Sequence, residues 1–507
     1  MSLTKLPYKW RAMLAVSFGT FMATMDFSII NVALPTLSDE FDRPPDVVVW
    51  ASLTASLVST GLTLTAGRSG DLFGRKRIYM VGWIVFGVGL VLASIAQSIE
   101  MLIAFRAIQA VGLAGALGTG NAIITQAFPD EERGKALGLV GSVVGAGLMT
   151  GPIVGGILLG FGDWRALFWM RIPIVLIAFA LAAWLIRDPE EERPAGKLDI
   201  PGAITLFAFL ASALLAVNRG QSWGWMSPQI LGLVALSVTS LVAFIRIETR
   251  TASPVLALDL FKKRTFSISV GSLILSFLGQ AASIFLMPFY LIEVRDYSTV
   301  QTGLILATVP AMMLLFSTYS GQISDRYNFR YQTTIGITVV ALGLLALSTV
   351  DADTTAPWIM ARLAIGGIGA AIFMSPNSSD VMGSVPRQML GTAAASLATG
   401  RNVGSSVGLA ISGAVLVFVA ANSAGIDSVE NARDLPPDAL LDGIRVAFRV
   451  AAGLSLLGAI ASSLRPPTQR PTFGPPAGRP AVRPEEPSAR ETAPARNVAG
   501  VSGDGAA

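Results

Sequence analysis

Long apolar runs separated by short polar loops follow one another along nearly the whole chain. The runs are about 17–25 residues long, which is the length that a helix needs to cross the hydrocarbon core of a bilayer. Backbone polar groups inside a bilayer must bond within their own helix, so the pattern predicts an all-α membrane protein. Fourteen spans are predicted, near residues 11–34, 48–68, 78–98, 101–127, 135–160, 166–186, 201–217, 229–245, 267–291, 301–320, 332–349, 357–381, 392–420 and 442–463.

Composition agrees with this fold class. Hydrophobic residues make up 52% of the chain and charged residues only 14%, against about 25% charged residues in an average soluble domain. The first apolar run is too long for a removed signal peptide and lacks a small-residue cleavage site, so it is predicted to be a true span. The small net charge of +4 gives no indication of a nucleic-acid partner. The predicted partners are the lipid bilayer, protons and a small-molecule substrate.

Two residue types are absent, and their absence limits the possible chemistry. The chain has no cysteine and no histidine, so disulfides and thiolate metal sites are excluded and neither a metal nor a cofactor is predicted. A proton carrier must be a carboxylate, because histidine is the side chain that normally titrates near neutral pH. There is no Gly-Lys motif for ATP and no Ser/His arrangement, so no enzyme is predicted.

Positive charge alternates from loop to loop. Loops such as 75–77 and 246–264 are rich in Lys and Arg, whereas the loops that alternate with this set hold only Arg43, Arg165, Arg219, Arg295 and Arg433. The positive-inside rule then places both termini in the cytoplasm, and the even number of spans agrees. The predicted location is the plasma (inner) membrane. Residues 465–507 are rich in Pro, Ala and Arg, which predicts a disordered cytoplasmic tail or a segment that touches anionic lipid head groups.

An internal repeat with a shift near 256 residues divides the chain. The matched positions at a shift of 257 are Gly147 with Gly404, Gly151 with Gly408 and Gly156 with Gly413. Six spans need only about 190 residues, so this shift indicates two halves of six spans with two further spans between them. The predicted domains are an N-terminal half at 1–188, two inserted helices at 189–265 and a C-terminal half at 266–464. Such halves place a substrate site between them, near the midplane.

The fifth span contains a cluster formed by Gly147, Gly151, Pro152, Gly155 and Gly156. Glycines four residues apart give a helix a flat strip that a second helix can approach closely, and the proline permits a bend. A generic small-residue packing face is the other interpretation.

The spacing GxxxGPxxGG in this cluster resembles the signature of the drug–proton antiporters of the major facilitator superfamily. The following WRxxFWxxxP resembles the entry to the sixth helix of that family. The family usually has Asn where this chain has Arg171.

Asp26 lies about 22 Å into the first span, beyond the centre of a ~30 Å core. A charge there costs roughly 2.5–3.5 kcal/mol on insertion scales, so an intramembrane carboxylate is a functional candidate. A carboxylate that only bonds to another helix is the alternative. The segment DxxIxNVALP, from Asp26 through Asn31, resembles the first-helix motif of the same family.

Arg106 in the fourth span lies roughly 8–9 Å below the outer surface, close to the depth of Asp26. An Asp26–Arg106 pair is therefore geometrically possible, and an arginine that extends to the outer head groups is the alternative. LxxxRxxQxxG, with Gln109, resembles the fourth-helix motif of the family, whose arginine is implicated in proton transfer. Ala110 replaces the usual glycine.

The loop between the second and third spans reads GRSGDLFGRKR. One interpretation is a positive-inside cluster with a turn glycine. The other is a gate, because a carboxylate beside cations at a helix end can pair with a neighbouring helix and release it. GxxxDxxGRK resembles the cytoplasmic loop signature of the superfamily, which implies a latch between the halves. The GxxxD of Gly67–Asp71 recurs in degenerate form at Gly321–Asp325, as a second copy of the gate loop. The gate-loop residues of both copies are Gly67, Asp71, Gly74, Arg75, Lys76, Asp325 and Arg326.

Other polar residues in the spans are weaker candidates. Cavity lining and hydrogen bonding between helices are both open for them. These residues are Asn31, Gln109, Gln280, Asn377 and Arg401. Some fourteen-span relatives have an additional carboxylate in the thirteenth span, and this chain has none there.

The resemblance covers about residues 10–463 and implies a fourteen-span drug–proton antiporter. The expected function is proton-driven export of amphipathic or cationic compounds by alternating access, with Asp26 binding proton and substrate in competition. A dedicated exporter or symporter of one metabolite or lipid is the first alternative, and a non-transporting sensor is the second. Fold does not fix the substrate. A monomer is favoured.

Overall fold

The computed structural model describes residues 6–43, 45–159, 163–187, 196–251, 254–327, 329, 331–424 and 436–466. All regular structure in these ranges is helical. The helices belong to one compact unit, Met1–Pro467. The predicted tail, 465–507, falls outside the described ranges except for residues 465 and 466.

Helices α1 to α17 follow one another, with short 3₁₀ turns before α6, α11 and α16 and a π-helical turn at Tyr290–Val294. The helices are α1 (Tyr8–Phe41), α2 (Pro45–Val48), α3 (Trp50–Phe73), α4 (Arg75–Ser94), α5 (Ile99–Ala127), α6 (Arg133–Leu159), α7 (Ala166–Trp169), α8 (Ile172–Leu185), α9 (Ile200–Trp223), α10 (Pro228–Glu248), α11 (Arg264–Phe289), α12 (Thr299–Leu306), α13 (Thr308–Tyr327), α14 (Gln332–Leu347), α15 (Ala356–Gly383), α16 (Leu390–Ala424) and α17 (Pro437–Ser463).

Twelve helical stretches in the described ranges are long and apolar enough to cross a membrane. Three further helices in these ranges do not qualify. Helix α2 has four residues. Helix α3 has 24 residues but contains many Ser and Thr, and α14 has 16 residues, which at 1.5 Å per residue is about 24 Å of a ~30 Å core. The chain is therefore a multi-pass helical membrane protein, and the predicted count of fourteen spans is not confirmed.

Four apolar cores lie among the described helices. The first lies within residues 12–186 and includes Tyr79, Trp83 and Phe86, whose rings meet edge to face. The second joins α11 to α17, and a smaller third core includes Ala122 of α5 and Ala394 of α16. The fourth includes apolar residues of α9 and α10. The third core therefore connects the first helices of the chain to the last ones.

Facing glycines allow two helix pairs to cross closely. Gly67 of α3 faces Gly391 of α16, and Gly134 of α6 faces Gly321 of α13; a Cβ atom on any of these four would clash with the backbone opposite. Both crossings lie at the same end of the bundle, which we call the latch end because of the contacts described below.

Candidate functional site

Asp26 of α1 lies at the centre of a buried polar cluster. Arg106 of α5 donates from Nη1 to both carboxylate oxygens of Asp26, at 3.1 and 3.2 Å. Gln109 Nε2 donates to Asp26 Oδ1 at 2.9 Å, and its Oε1 accepts from Arg106 Nη1 at 2.6 Å. Arg106 Nε also reaches the carbonyl of Ala51 on α3, at 3.2 Å. The structure thus brings together the two residues whose similar depths made a pair possible.

Arg171 is a third charged member, which the sequence pattern did not assign to the site. It lies between α7 and α8, where its Nη1 donates to Asp26 Oδ1 and its Nε donates to the carbonyl of Leu167. Its guanidinium lies 5.3 Å from the ring centroid of Phe168. In the described part of the chain its Nη2 has no hydrogen-bond partner. The sequence signal that could have pointed to Arg171 is that the family resembled by the motif usually has Asn at this position.

The charges in this cluster do not balance. One carboxylate faces two guanidiniums, so the formal charge of the cluster is +1. All three residues are only about 1% exposed. Buried ions are stable only when they are paired and hydrogen-bonded. Asp26 is therefore the counter-ion of two arginines from different parts of the bundle, and any event that removes its charge leaves both without compensation.

The first latch joins the end of α3 to the start of α16. The Asp71 carboxylate accepts hydrogen bonds from the backbone N–H groups of Gly391 and Thr392, at 2.8 and 2.9 Å, and from the Thr392 hydroxyl. Arg75 binds the same carboxylate at 2.9 Å and donates to the carbonyl of Arg387. A carboxylate at a helix N-terminus is stabilised by the unpaired N–H groups and the helix dipole.

A second latch joins α13 to α6 with the same chemistry. The Asp325 carboxylate accepts from the backbone N–H groups of Gly134 and Lys135, at 2.8 and 2.6 Å. Ser375 of α15 donates to the Gly134 carbonyl at 2.7 Å. The degenerate second copy of the gate loop therefore makes a contact equivalent to that of the first.

The remaining gate-loop residues have contacts other than the two latches. Gly74 has a φ of 106° and forms the turn between α3 and α4, a backbone conformation that favours glycine. Lys76 Nζ donates to the Ala183 carbonyl at 2.8 Å. Arg326 lies 5.4 Å from the ring centroid of Tyr327.

The glycine cluster packs on the first helix, but only in part. Cβ atoms on Gly147, Gly151 and Gly155 would meet Thr24, Ser28 and Ile29 of α1, respectively. Among the described residues nothing lies within 4 Å of such an atom on Gly156, so Gly156 is not on the face of α6 that packs on α1. Pro152 lies inside α6, which continues through it to Leu159.

The weaker candidates do not form one site. Gln109 belongs to the Asp26 cluster, whereas Gln280 bonds only to Ser276 of its own helix within the described ranges. Asn377 is buried, and its amide nitrogen has no partner among the described residues. Asn31 lies on α1, but its side chain is outside what the structure describes. Arg401 is partly exposed in the middle of α16.

These observations define a class: a multi-pass helical membrane protein with a buried charge cluster and two carboxylate latches at one end. A sequence profile described as the Major Facilitator Superfamily matches residues 16–409. The chain belongs to the Major Facilitator Superfamily, a family of transporters.

Individual proteins agree with that membership. The riboflavin transporter RibZ of Clostridioides difficile is 32% identical over 402 residues, covering 79% of this chain and 87% of RibZ. The multidrug resistance protein Stp of Mycobacterium tuberculosis is 28% identical over 405 residues, covering 80% and 75%. The crystal structure of the human organic anion transporter MFSD10 superposes with a TM-score of 0.64 at 14% identity, covering 90% of this chain and all of that one. The last likeness concerns the fold alone.

Proposed function

We propose that this protein is a proton-coupled exporter of amphipathic small molecules in the plasma membrane, working by alternating access. Membership of the Major Facilitator Superfamily and the drug-resistance names of relatives such as Stp support export. Helices α3 and α14 complete fourteen spans in this proposal, α9 and α10 are inserted between two six-helix halves, and both termini are cytoplasmic. The monomer is the working unit.

Asp26 is the proton site in this proposal. The observation that carries it is the position of its buried carboxylate between Arg106 and Arg171. A proton on Asp26 removes the negative charge that holds both arginines, so proton binding and rearrangement of α1 against α5 and α8 are thermodynamically linked. A substrate that binds the access state in which Asp26 is unprotonated completes the exchange cycle.

The two latches form the cytoplasmic gate. Asp71 and Asp325 each bind the start of a helix that lies more than 190 positions away in the sequence. With both latches formed, the cytoplasmic ends of the helices are held together. Opening toward the cytoplasm requires the loss of both contacts, which makes each carboxylate a determinant of the equilibrium between the two access states.

A transporter dedicated to one metabolite is the second candidate. It is favoured by RibZ, whose name gives riboflavin as the substrate. The gate and the coupling site would act in the same way, and only the range of accepted compounds would be narrow. A chain that moves one compound of a chemically varied panel would support this candidate over drug export.

Efflux of a panel of amphipathic dyes from expressing cells tests the proposal. The native chain is compared with Asp26→Asn and Asp26→Glu, with and without an uncoupler, at equal amounts of protein in the membrane. We expect efflux to stop with the uncoupler and in Asp26→Asn, and to persist in part in Asp26→Glu. Efflux that survives the uncoupler would remove proton coupling, and full activity of Asp26→Asn would remove Asp26 as the proton site.

A further inference from the structure

Arg401 is a charged residue in the middle of a membrane helix that has no counter-ion among the described residues. It lies eleven residues from the start of α16, about 16 Å along a helix that crosses a ~30 Å core. Its side chain is partly exposed. Within the described ranges, no hydrogen bond and no ion pair reaches its guanidinium. Intramembrane arginines normally pair or face a water-filled interior.

The contacts of neighbouring residues on α16 show which way Arg401 points. Asn402 donates to Thr60 of α3 at 2.7 Å, and Gly404 packs on Ile274 of α11. Val403 packs against the apolar cluster formed with α9 and α10. Successive residues on a helix are 100° apart, so Arg401 lies on the remaining face, opposite α9 and between α3 and α11.

The internal repeat identifies that face as the interior. The residue 257 positions earlier is Val144 of α6. Val144 contacts both the first apolar core, within residues 12–186, and the second, formed by α11 to α17. A residue that contacts both cores lies between the two groups of helices. By the same geometry Arg401 projects into the space between them, at mid-membrane depth.

The charge balance of the interior then indicates what binds there. The Asp26 cluster has a formal charge of +1, and Arg401 adds a second positive charge that the described residues do not compensate. Resting on the export function proposed above, we propose that Arg401 binds an acidic group of the substrate, so that the transported compounds are amphipathic anions that carry a carboxylate, sulfonate or phosphate. This reverses the cationic preference expected from the sequence.

Guanidinium chemistry suits this role. Arginine stays charged, and its planar fork matches the two oxygens of an acidic group with paired hydrogen bonds. A bound anion would supply the counter-ion that the described residues do not. A purely structural arginine would need a fixed partner, and the described residues supply none.

Two dyes with the same ring scaffold and opposite charge test the proposal. Fluorescein carries a carboxylate, and rhodamine 123 is its cationic counterpart. Binding to the purified full-length protein in nanodiscs is measured by fluorescence anisotropy for the native chain, Arg401→Gln and Arg401→Lys. Arg246→Gln is the matched control, because Arg246 is an exposed arginine in the last turn of α10.

We expect the native chain to bind fluorescein at least 10-fold more tightly than rhodamine 123. Arg401→Gln should weaken fluorescein binding about 10-fold, and Arg401→Lys should weaken it less, because lysine keeps the charge but loses the paired hydrogen bonds. Arg246→Gln should bind nearly as the native chain does. Equal or tighter binding of rhodamine 123, unchanged fluorescein binding in Arg401→Gln, or no binding of either dye would overturn the proposal. The readout needs no proton gradient, so anion binding without proton-driven transport would overturn only the exporter function.

Discussion

The carboxylate of Asp71 accepts a hydrogen bond from the backbone N–H of Gly391 at 2.8 Å, across a gap of 320 positions in the sequence. The crossing beneath it is closed by Gly67, whose missing side chain lets α3 and α16 meet. Asp325 of α13 and Gly134 of α6 form an equivalent contact at the same end of the bundle. The latch end is therefore closed by two equivalent contacts, and each gives a separate prediction.

Asp71→Asn should favour opening of the latch end. An amide keeps the shape of the side chain but loses the charge that the start of α16 stabilises, which is worth about 1–2 kcal/mol, or a ~5–30-fold shift of the equilibrium. The chain has no cysteine, so Ser142→Cys provides a single label. Ser142 of α6 is buried against α13, where its hydroxyl lies 2.9 Å from the Thr318 hydroxyl. Its maleimide labelling rate in inside-out vesicles should rise about 5–30-fold.

Asp259→Asn is the control for that experiment. Asp259 pairs with Lys262, both side chains being more than 80% exposed, and an exposed ion pair contributes about 0–1 kcal/mol. Its labelling rate should match that of the parent chain. If Asp71→Asn also leaves the rate unchanged, Asp71 does not hold the latch end closed.

The double variant Asp71→Asn, Asp325→Asn should open further than either single variant. The two latches use different helices and share no side chain, so their free energies should add and their fold-changes should multiply. The same labelling of Ser142→Cys measures this. A double variant that labels no faster than Asp71→Asn alone would show that Asp325 adds nothing to gate closure.

Variants of the Asp26 cluster should differ in stability in an order set by charge. Asp26→Asn leaves two buried guanidiniums without a counter-ion, and breaking a buried pair costs about 3–5 kcal/mol. Arg171→Gln leaves one carboxylate with Arg106, a balanced pair, and should cost much less. We therefore expect the apparent melting temperature of the purified protein to fall most for Asp26→Asn. If Arg171→Gln is the less stable variant, the unbalanced charge is not what determines stability here.

Much of the fold was predictable because the signal for a membrane helix is local in the sequence. Apolar length predicted spans where twelve qualifying helical stretches are found, although the count of fourteen is not confirmed. The rise per residue placed Asp26 and Arg106 at similar depths, and the two residues are in contact. The repeat predicted that Asp325 would copy Asp71, and the two carboxylates do bind equivalent helix starts.

The rest depends on packing between distant segments. Arg171 meets Asp26 across 145 positions, and only the placement of α7 and α8 against α1 brings them together. Asp380 pairs with Arg465 in the same way, over 85 positions. Spacing places Gly147, Gly151 and Gly155 on one face of α6, but that this face meets α1 depends on the rotation of α6 about its axis.

Gly151→Val should abolish transport, whereas Gly156→Val should not. A side chain at Gly151 would collide with Ser28 of α1, but one at Gly156 meets open space. Overpacking of this kind costs about 1–3 kcal/mol, and it would push α6 away from the helix that carries Asp26. Dye efflux is compared at equal amounts of membrane-inserted protein, with Gly151→Ala as an intermediate step. Equal activity of the two valine variants would mean that the close contact of α1 with α6 is not needed for the transport cycle.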